Sequence, residues 1–379
     1  MNTTKIKDVC VVVSGSTPKS TEERYWNGTH VWITPAELSE DSFIVSDSER
    51  HITDEAVRAT GLKPFPKGTV LLSSRAPIGK VAIAGCDMYC NQGFKNLICS
   101  KSIYNLYLYY FLKSKTEYLN SLGRGATFKE ISKGIVEDIN VPIPAYDEQI
   151  HIAKQLQKIT ELIALKKRQY RYLDDIIRSR FIEMFGDPSK LNNFANAQIK
   201  DVASVGVGIV IKPTRFYSND KSGKRAFRSL NIGPFGINPN SEWVYFTNEA
   251  MVENKRTIVH EGDVLIVRSG NPGTCCVVSK EYDGCNVIDL IIARPDKSKI
   301  LPEYLCAFTN MPHGMNQINN QKHGVAQRHF NVSMYEKMKI YIPNLSLQQQ
   351  YVNFMKQVDK SKYRGTISLH LLEDVSHML

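Results

Sequence analysis

The chain has 379 residues, 42% apolar and 23% charged, the composition of a folded protein of two or three domains and not of a disordered or fibrous one. Its 48 Lys and Arg against 38 Asp and Glu leave a formal charge of +10, which favours an anionic partner, nucleic acid first. No apolar run is long enough for a membrane helix or a signal-peptide core, and the 8 Cys form no CxxC, so a cytoplasmic chain with reduced thiols and no membrane role is expected.

In chain order, a strand at Val9–Val13 opens into a turn, Ser14-Gly15-Ser16-Thr17-Pro18. A strand-turn-strand unit follows, Gly68–Leu72 with Val81–Ala84. Then come a tyrosine-rich amphipathic stretch, Asn105–Leu112, a polar loop with Gly125, and a short strand ending in Val141-Pro142-Ile143-Pro144. Asp147 is a good N-cap, and no Gly or Pro interrupts the chain from there to Gly186. Apolar Ile152, Leu156, Ile159, Ile163, Tyr170, Leu173, Ile177 and Met184 fall at steps of three, four and seven. The pattern predicts one helix of about 39 residues, ~58 Å long, stopped at Phe185-Gly186-Asp187-Pro188.

The whole plan then returns. Ile6-Lys7-Asp8-Val9 reappears as Ile199-Lys200-Asp201-Val202, and Gly68–Leu72 as Gly262–Ile266. Cys90-Asn91 aligns with Cys285-Asn286, Tyr107-Leu108 with Tyr304-Leu305, and Ile143-Pro144 and Gln149 with Ile342-Pro343 and Gln348. The preserved order makes this a duplicated domain and not a solenoid. A second helix is predicted from Ser346, whose spacing to Gln349 suits a capping box, with a weak point at Gly365. The expected layout is a mixed α+β domain over 1–145, a helix over 146–186, a linker over 187–197, a second α+β domain over 198–345 and a second helix over 346–379. The two helices are expected to pair antiparallel.

Catalytic signatures are missing: no Walker phosphate loop, no GxSxG elbow, no strand-GxGxxG-helix unit and no Asp-Pro-Pro or Asn-Pro-Pro occurs. Isolated His323 and His329 lack metal-ligand spacing. Polar and basic loops stand instead at matching places in both halves. The first half offers Thr17, Lys19, Ser74, Arg75 and Lys80, then Asn91, Gln92 and Lys95, then Arg124, Thr127 and Lys129. The second offers Lys212, Arg215, Lys224, Arg225 and Arg228, then Arg268, Ser269, Asn271 and Asn286, then Lys322, Gln327 and Arg328. Arg, Asn and Gln suit base edges, while Lys, Ser and Thr suit phosphates, so these are the candidate DNA contacts.

Several segments resemble a known family: Ser-Gly-x-Thr-Pro (Ser14–Pro18), Trp32–Leu38, Arg75-Ala76-Pro77-Ile78-Gly79, Asn91-Gln92-Gly93, Gly125–Ile131, and Val141–Gln149 before a long helix ending Phe-Gly-Asp-Pro. Together, across almost the whole chain, they are similar to the specificity subunit of a type I restriction-modification system. The second half lacks Ser-Gly-x-Thr-Pro and has Gly324-Val325-Ala326 for Gly-Ala-Thr. The resemblance implies two target recognition domains, each reading half of a bipartite double-stranded DNA site, held apart by an antiparallel two-helix spacer. It implies a non-catalytic subunit that binds no cofactor. Its partners would be two methyltransferase subunits using S-adenosylmethionine and restriction subunits using ATP and Mg. The helix seam, with Ile159, Ile163, Leu173, Ile177, Val358 and Leu369, is the expected docking surface for those partners. The competing readings are an autonomous DNA-modifying enzyme and a duplicated scaffold with no DNA role.

Overall fold

The computed structural model describes residues 3–75, 77–125, 129–187, 194–221, 223–238, 241–320 and 330–358. The chain forms two compact units, one running to Lys166 and one starting at Lys167, so the division falls inside the long helix.

In the first unit, Thr3–Lys5 pairs antiparallel with Asn140–Pro142, a clasp between the beginning and the end of the domain. Ile-Lys-Asp-Val is one helical turn, Ile6–Val9, and the strand begins only at Cys10. Its buried Ile6 and Val9 face the core, the spacing of three that a helical turn brings to one side. The main sheet has the order Cys10–Val13, Asn96–Cys99, Val70–Leu72, Val81–Ala84, Ile44–Val45. A smaller sheet joins His51–Ile52, Trp26–Ile33 and Tyr89–Cys90. Val70, Leu71, Leu72, Ala82 and Ala84 are buried almost completely, so the central strands are covered on both faces. The tyrosine-rich stretch is the helix Asn105–Ser114 that packs on this sheet.

The second unit repeats the scheme. Ala195–Gln198 pairs with Lys339–Ile342, and Ile199–Val202 is again one helical turn. The sheet order Ala203–Val207, Leu290–Pro295, Val264–Val267, Cys275–Val277 matches that of the first four strands above. The second sheet joins Tyr217–Ser218, Val244–Phe246, Lys224–Phe227 and Asn286–Val287.

One sequence match is out of register. Ile33 pairs in parallel with Cys90, and Phe227 with Val287. Each precedes a short turn closed from its third residue: the Thr34 amide donates to Glu37 Oε1 at 2.8 Å and the Arg228 amide to Asn231 Oδ1 at 2.7 Å. Gly15 and Gly208 agree with this register: a Cβ there would strike the carbonyl oxygens of Cys90 and Val287 respectively. Cys90 therefore corresponds to Val287, and Gln92 to Asp289. Asn286 corresponds to Tyr89, not to Asn91.

The long helix runs Tyr146–Phe185 over 40 residues and ends at Gly186, whose φ of 87° is the left-handed stop. Asp147 lies within its first turn and is not the cap. The second helix covers 345–358 of the described residues, and its cap is Asn344, whose Oδ1 accepts the Leu347 amide at 2.9 Å. Ser346 is thus inside the helix, because the chain turns helical directly after Pro343-Asn344. Gly365 and Leu369 lie outside the described residues. Among the described residues, no helix is long and apolar enough to cross a membrane, and no His, Cys, Asp and Glu group could hold a metal ion.

Candidate nucleic-acid interface

In the first unit, four connecting segments meet at one end of the sheets. Trp26 and Trp32, edge to face at 5.1 Å, hold the first of them. Their indole nitrogens donate to the carbonyls of Lys19 at 3.2 Å and Ser16 at 3.1 Å. The Thr17 hydroxyl then donates to Gln92 Oε1 at 2.7 Å. The Ser74 amide donates to the Gly93 carbonyl at 2.8 Å, and the Ile131 amide to the Ser74 carbonyl at 3.0 Å. Arg124 and Glu130 exchange backbone bonds at 3.0 and 2.9 Å, with Lys129 exposed next to them.

Lys95 lies beneath these segments, with 8% of its surface accessible. Its ammonium donates to Ser74 Oγ at 3.3 Å, the Gln92 carbonyl at 3.4 Å and Glu130 Oε1 at 3.1 Å. A charge this deep is tolerated because it is paired and fully hydrogen-bonded. Thr17, Ser74, Arg75, Gln92, Lys95 and Arg124 are therefore brought together, but in two layers. Thr17, Gln92, Arg124 and Lys129 are exposed and Arg75 half-buried, whereas Ser74 and Lys95 support them from inside. Lys80 turns away, donating to the carbonyls of Leu38 and Pro35, and Asn91 Oδ1 accepts the Gly93 amide at 2.9 Å. Lys19 is exposed beside its carbonyl bond to Trp26. Thr127 lies outside the described residues.

The second unit solves the same problem with the charges exchanged. Arg268 stands where Ser74 does in the first. Its Nη1 donates to Asp289 Oδ1 at 2.7 Å and its Nε to the Phe330 carbonyl at 3.2 Å, with 15% of the side chain accessible. Asp289 is the counterpart of Gln92 and Phe330 of Ile131. One buried cation thus ties the same three segments in each domain, supplied from opposite sides of the sheet connection. Beside it, Ser269, Gly270 and Asn271 border a cleft of about 440 Å³ with Ser229, Leu230 and Pro234.

Other candidates of the second unit are more committed. Arg215 pairs with Glu253 at 2.6 Å and lies over Phe216, and Arg228 pairs with Glu242 at 3.2 Å. Arg225 lies over Trp243 and Tyr282 and reaches Glu281 at 3.5 Å. Lys212 and Lys224 are exposed. Asn286 is not a surface residue at all: it is fully buried, donating to Thr257 Oγ1 at 2.8 Å and the Asn254 carbonyl at 3.1 Å. The register shift explains this, because position 286 falls inside a strand. Lys322, Gln327 and Arg328 lie outside the described residues. Sequence reasoning passed over Glu130 and Asp289, since a search for anion contacts looks for cations and not for the acids that hold them.

The expected docking seam also divides. Ile177 is fully buried and Val358 nearly so, both in the core of the second unit, with Leu173 packed at its margin. Ile159 and Ile163 are half-buried, and Leu369 is outside the described residues. Burial in their own domain removes Ile177 and Val358 from any partner surface. The exposed apolar stripe is the adjacent one: Leu162, Leu165, Tyr172 and Ile176, with Leu165 57% and Tyr172 60% accessible. Tyr172 and Ile176 border a groove of about 730 Å³ completed by Arg180, Glu183 and Phe354.

Residues 1–173 and 192–367 match the family model described as the type I restriction modification DNA specificity domain. Over 192 residues the chain is 42% identical to the type I restriction enzyme MjaIX specificity subunit of Methanocaldococcus jannaschii, a match covering 50% of this chain and 44% of that protein. It is 27% identical over 197 residues to the EcoR124I/EcoR124II specificity subunit of Escherichia coli, covering 47% of each. The matches to these two relatives span somewhat under half of their length. Among solved structures, the S subunit of a type I restriction-modification system from M. genitalium superposes with a TM-score of 0.53 at 15% identity, covering 100% of this chain and 94% of that one. A chain from a structure on complex assembly and conformational transition of the type I R-M system gives 0.57 at 15% identity, covering 100% and 95%. These likenesses show that the fold is shared.

Proposed function

The chain belongs to the type I restriction-modification DNA specificity family, and from that premise we propose that it is the sequence-recognition subunit of a type I restriction-modification enzyme. Each domain reads one half of a bipartite double-stranded DNA target through its exposed loop tips. The chain itself catalyses nothing. Two methyltransferase subunits bring S-adenosylmethionine to adenine, and restriction subunits bring ATP and Mg.

The observation that carries this reading is the repeated end of each domain, where a buried cation cross-links the loop segments. Lys95 does so in one domain and Arg268 in the other. A scaffold with no ligand needs no such duplicated bracing of polar loops. Side chains braced in this way present hydrogen-bonding groups at fixed positions, as reading base edges requires. The differences between the copies fit two different half-sites. Leu162, Leu165, Tyr172 and Ile176 supply the surface on which the methyltransferase subunits dock.

Single-molecule sequencing of methylated adenines in the host, with and without this gene, tests the proposal. A bipartite methylated motif should be present with the gene and lost without it. An unchanged methylation pattern would refute it.

A further inference from the structure

The largest chemical difference between the two loop ends is apolar. Two residues beyond Gly15, the first domain places Thr17, hydrogen-bonded to Gln92. Beyond the matching Gly208, the second domain places Val210 and Ile211, 50% and 78% accessible. Water-facing side chains of this kind cost solvation without contributing to the core. Their turn is nevertheless held tightly. The Gly208 amide donates to Leu290 at 2.9 Å, the Ile209 amide to Val287 at 2.8 Å and the Asp289 amide to Ile209 at 3.0 Å. On the far side, Lys212 adopts φ 46° and Pro213 opens the short turn anchored by buried Phe216. β-Branched side chains have few rotamers, so this tip is a stiff apolar probe.

Its surroundings select the partner. Lys212 is exposed next to Ile211, and the Arg268–Asn271 segment adjoins through Asp289. Two apolar side chains in a polar, cationic setting are far too small for a protein interface, which buries roughly 800 Å² per partner. They match the one apolar group on a base edge in the major groove, the thymine 5-methyl.

We propose that Ile211, backed by Val210, is a specificity-determining residue that reads a thymine methyl group in the half-site of the second domain. This rests on the DNA-recognition reading above. The first domain, with Thr17 and Gln92 at the same place, reads polar groups there instead.

The test uses the complete complex of this chain with its methyltransferase subunits and a duplex carrying the motif found by methylome sequencing. Each thymine of the second half-site is replaced in turn by deoxyuridine, which removes the methyl and leaves base pairing intact. At one position affinity should fall about fourfold, the worth of one buried methyl. In Ile211→Ala, binding to the thymine duplex should fall to the deoxyuridine level, and the substitution should then have no further effect. Wild-type complex indifferent to every deoxyuridine overturns the proposal, as does a second half-site without an A·T pair. So does a sensitivity that survives in Ile211→Ala, or a loss in that variant unrelated to methyl content, as a wedge between base pairs would give. Absence of any sequence-specific binding would refute the recognition reading itself, a separable outcome.

Discussion

Gln149 and Gln348 show how one residue type can be legible in sequence while its role is not. Both are fully buried at the start of a helix. Gln149 accepts the Tyr104 amide at 2.9 Å and donates to the carbonyls of Ser102 and Pro144, both at 3.0 Å. Gln348 accepts the Leu301 amide at 2.8 Å and donates to Lys299 at 3.1 Å and Pro343 at 2.8 Å. The repeat made the pair visible, but only the fold shows each as a three-bond latch between helix and domain. Arg268 is the opposite case. Its basic side chain suggests a DNA contact, yet it is spent on Asp289 and Phe330. Arg268→Ala should therefore lower the melting temperature and weaken binding, at a cost of roughly 1–3 kcal/mol for the lost buried bonds. The methylated motif should keep its letters. Arg75→Ala, in contrast, should relax one letter of the first half-site with little change in melting. A changed second half-site in the Arg268 variant would contradict its bracing role.

His313 adds a pH dependence at the same scale. It is buried among Phe181, Phe308 and Tyr341, with Nε2 donating to the Gly186 carbonyl at 2.9 Å and Nδ1 without a partner. Burial holds its pKa below the ordinary histidine value, outweighing the Gly186 bond and the Asp187 charge, which act upward. The unfolded chain takes up its proton as pH falls through about 6.5, whereas the folded chain resists until lower pH. The stability from neutral His313 is thus fully present above that value and is lost as pH falls towards the folded pKa. Melting curves between pH 7.5 and 5.5 should show this decline, and His313→Gln should flatten it. An identical slope in both proteins would exclude this residue as its source.

At the scale of elements, the long helix was legible because it has no Gly or Pro and a steady apolar spacing. The expected range of 146–186 runs one residue past its observed end at Phe185. Periodicity shows that a stripe is apolar but not what covers it. Near its end the stripe is covered by aromatic packing: Phe181 and Phe185 lie 5.2 and 5.5 Å from Tyr351, and Phe185 lies 4.9 Å from Tyr304. The exposed residues sit on the next face round. Leu165→Asp combined with Tyr172→Asp should abolish co-purification of the methyltransferase subunits while leaving the melting temperature within a few degrees. Unimpaired co-purification would remove this face as the docking site. Ile177→Asp, which enters the core, should instead unfold the second unit.

Across the whole molecule, the duplication was readable from a few matched residues in order, and the sheet orders of the two units agree with it. The pairing at 285–286 slipped because register there is set by a two-residue parallel bridge between segments about sixty residues apart, which composition does not reveal. The slip put a buried Asn286 among the DNA contacts and hid Asp289. The unbroken helix carries its own prediction. Four residues inserted after Gln169 add about one turn, ~6 Å, and should widen the gap between half-sites by roughly one to two base pairs. The letters of each half should stay as they were. Sequencing of methylated adenines reads both, and a constant gap with altered letters would rule out the helix as the spacer.

The exchanged bracing charge limits how such a protein can diversify. In one domain the cation is on the strand side, Lys95, and the turn side is Ser74; in the other the turn side carries Arg268 and its acceptor is Asp289. Moving the 268–271 turn alone into the first domain would bury an arginine beside Lys95, with Gln92 where the aspartate should be. Moving the reverse segment would leave Asp289 facing a serine. A segment exchange within one domain should therefore destabilise its loop end, whereas exchange of an entire domain should not. Joins that function should fall in the long helix, outside both bracing sites, and a functional join between Ser74 and Lys95 would contradict this.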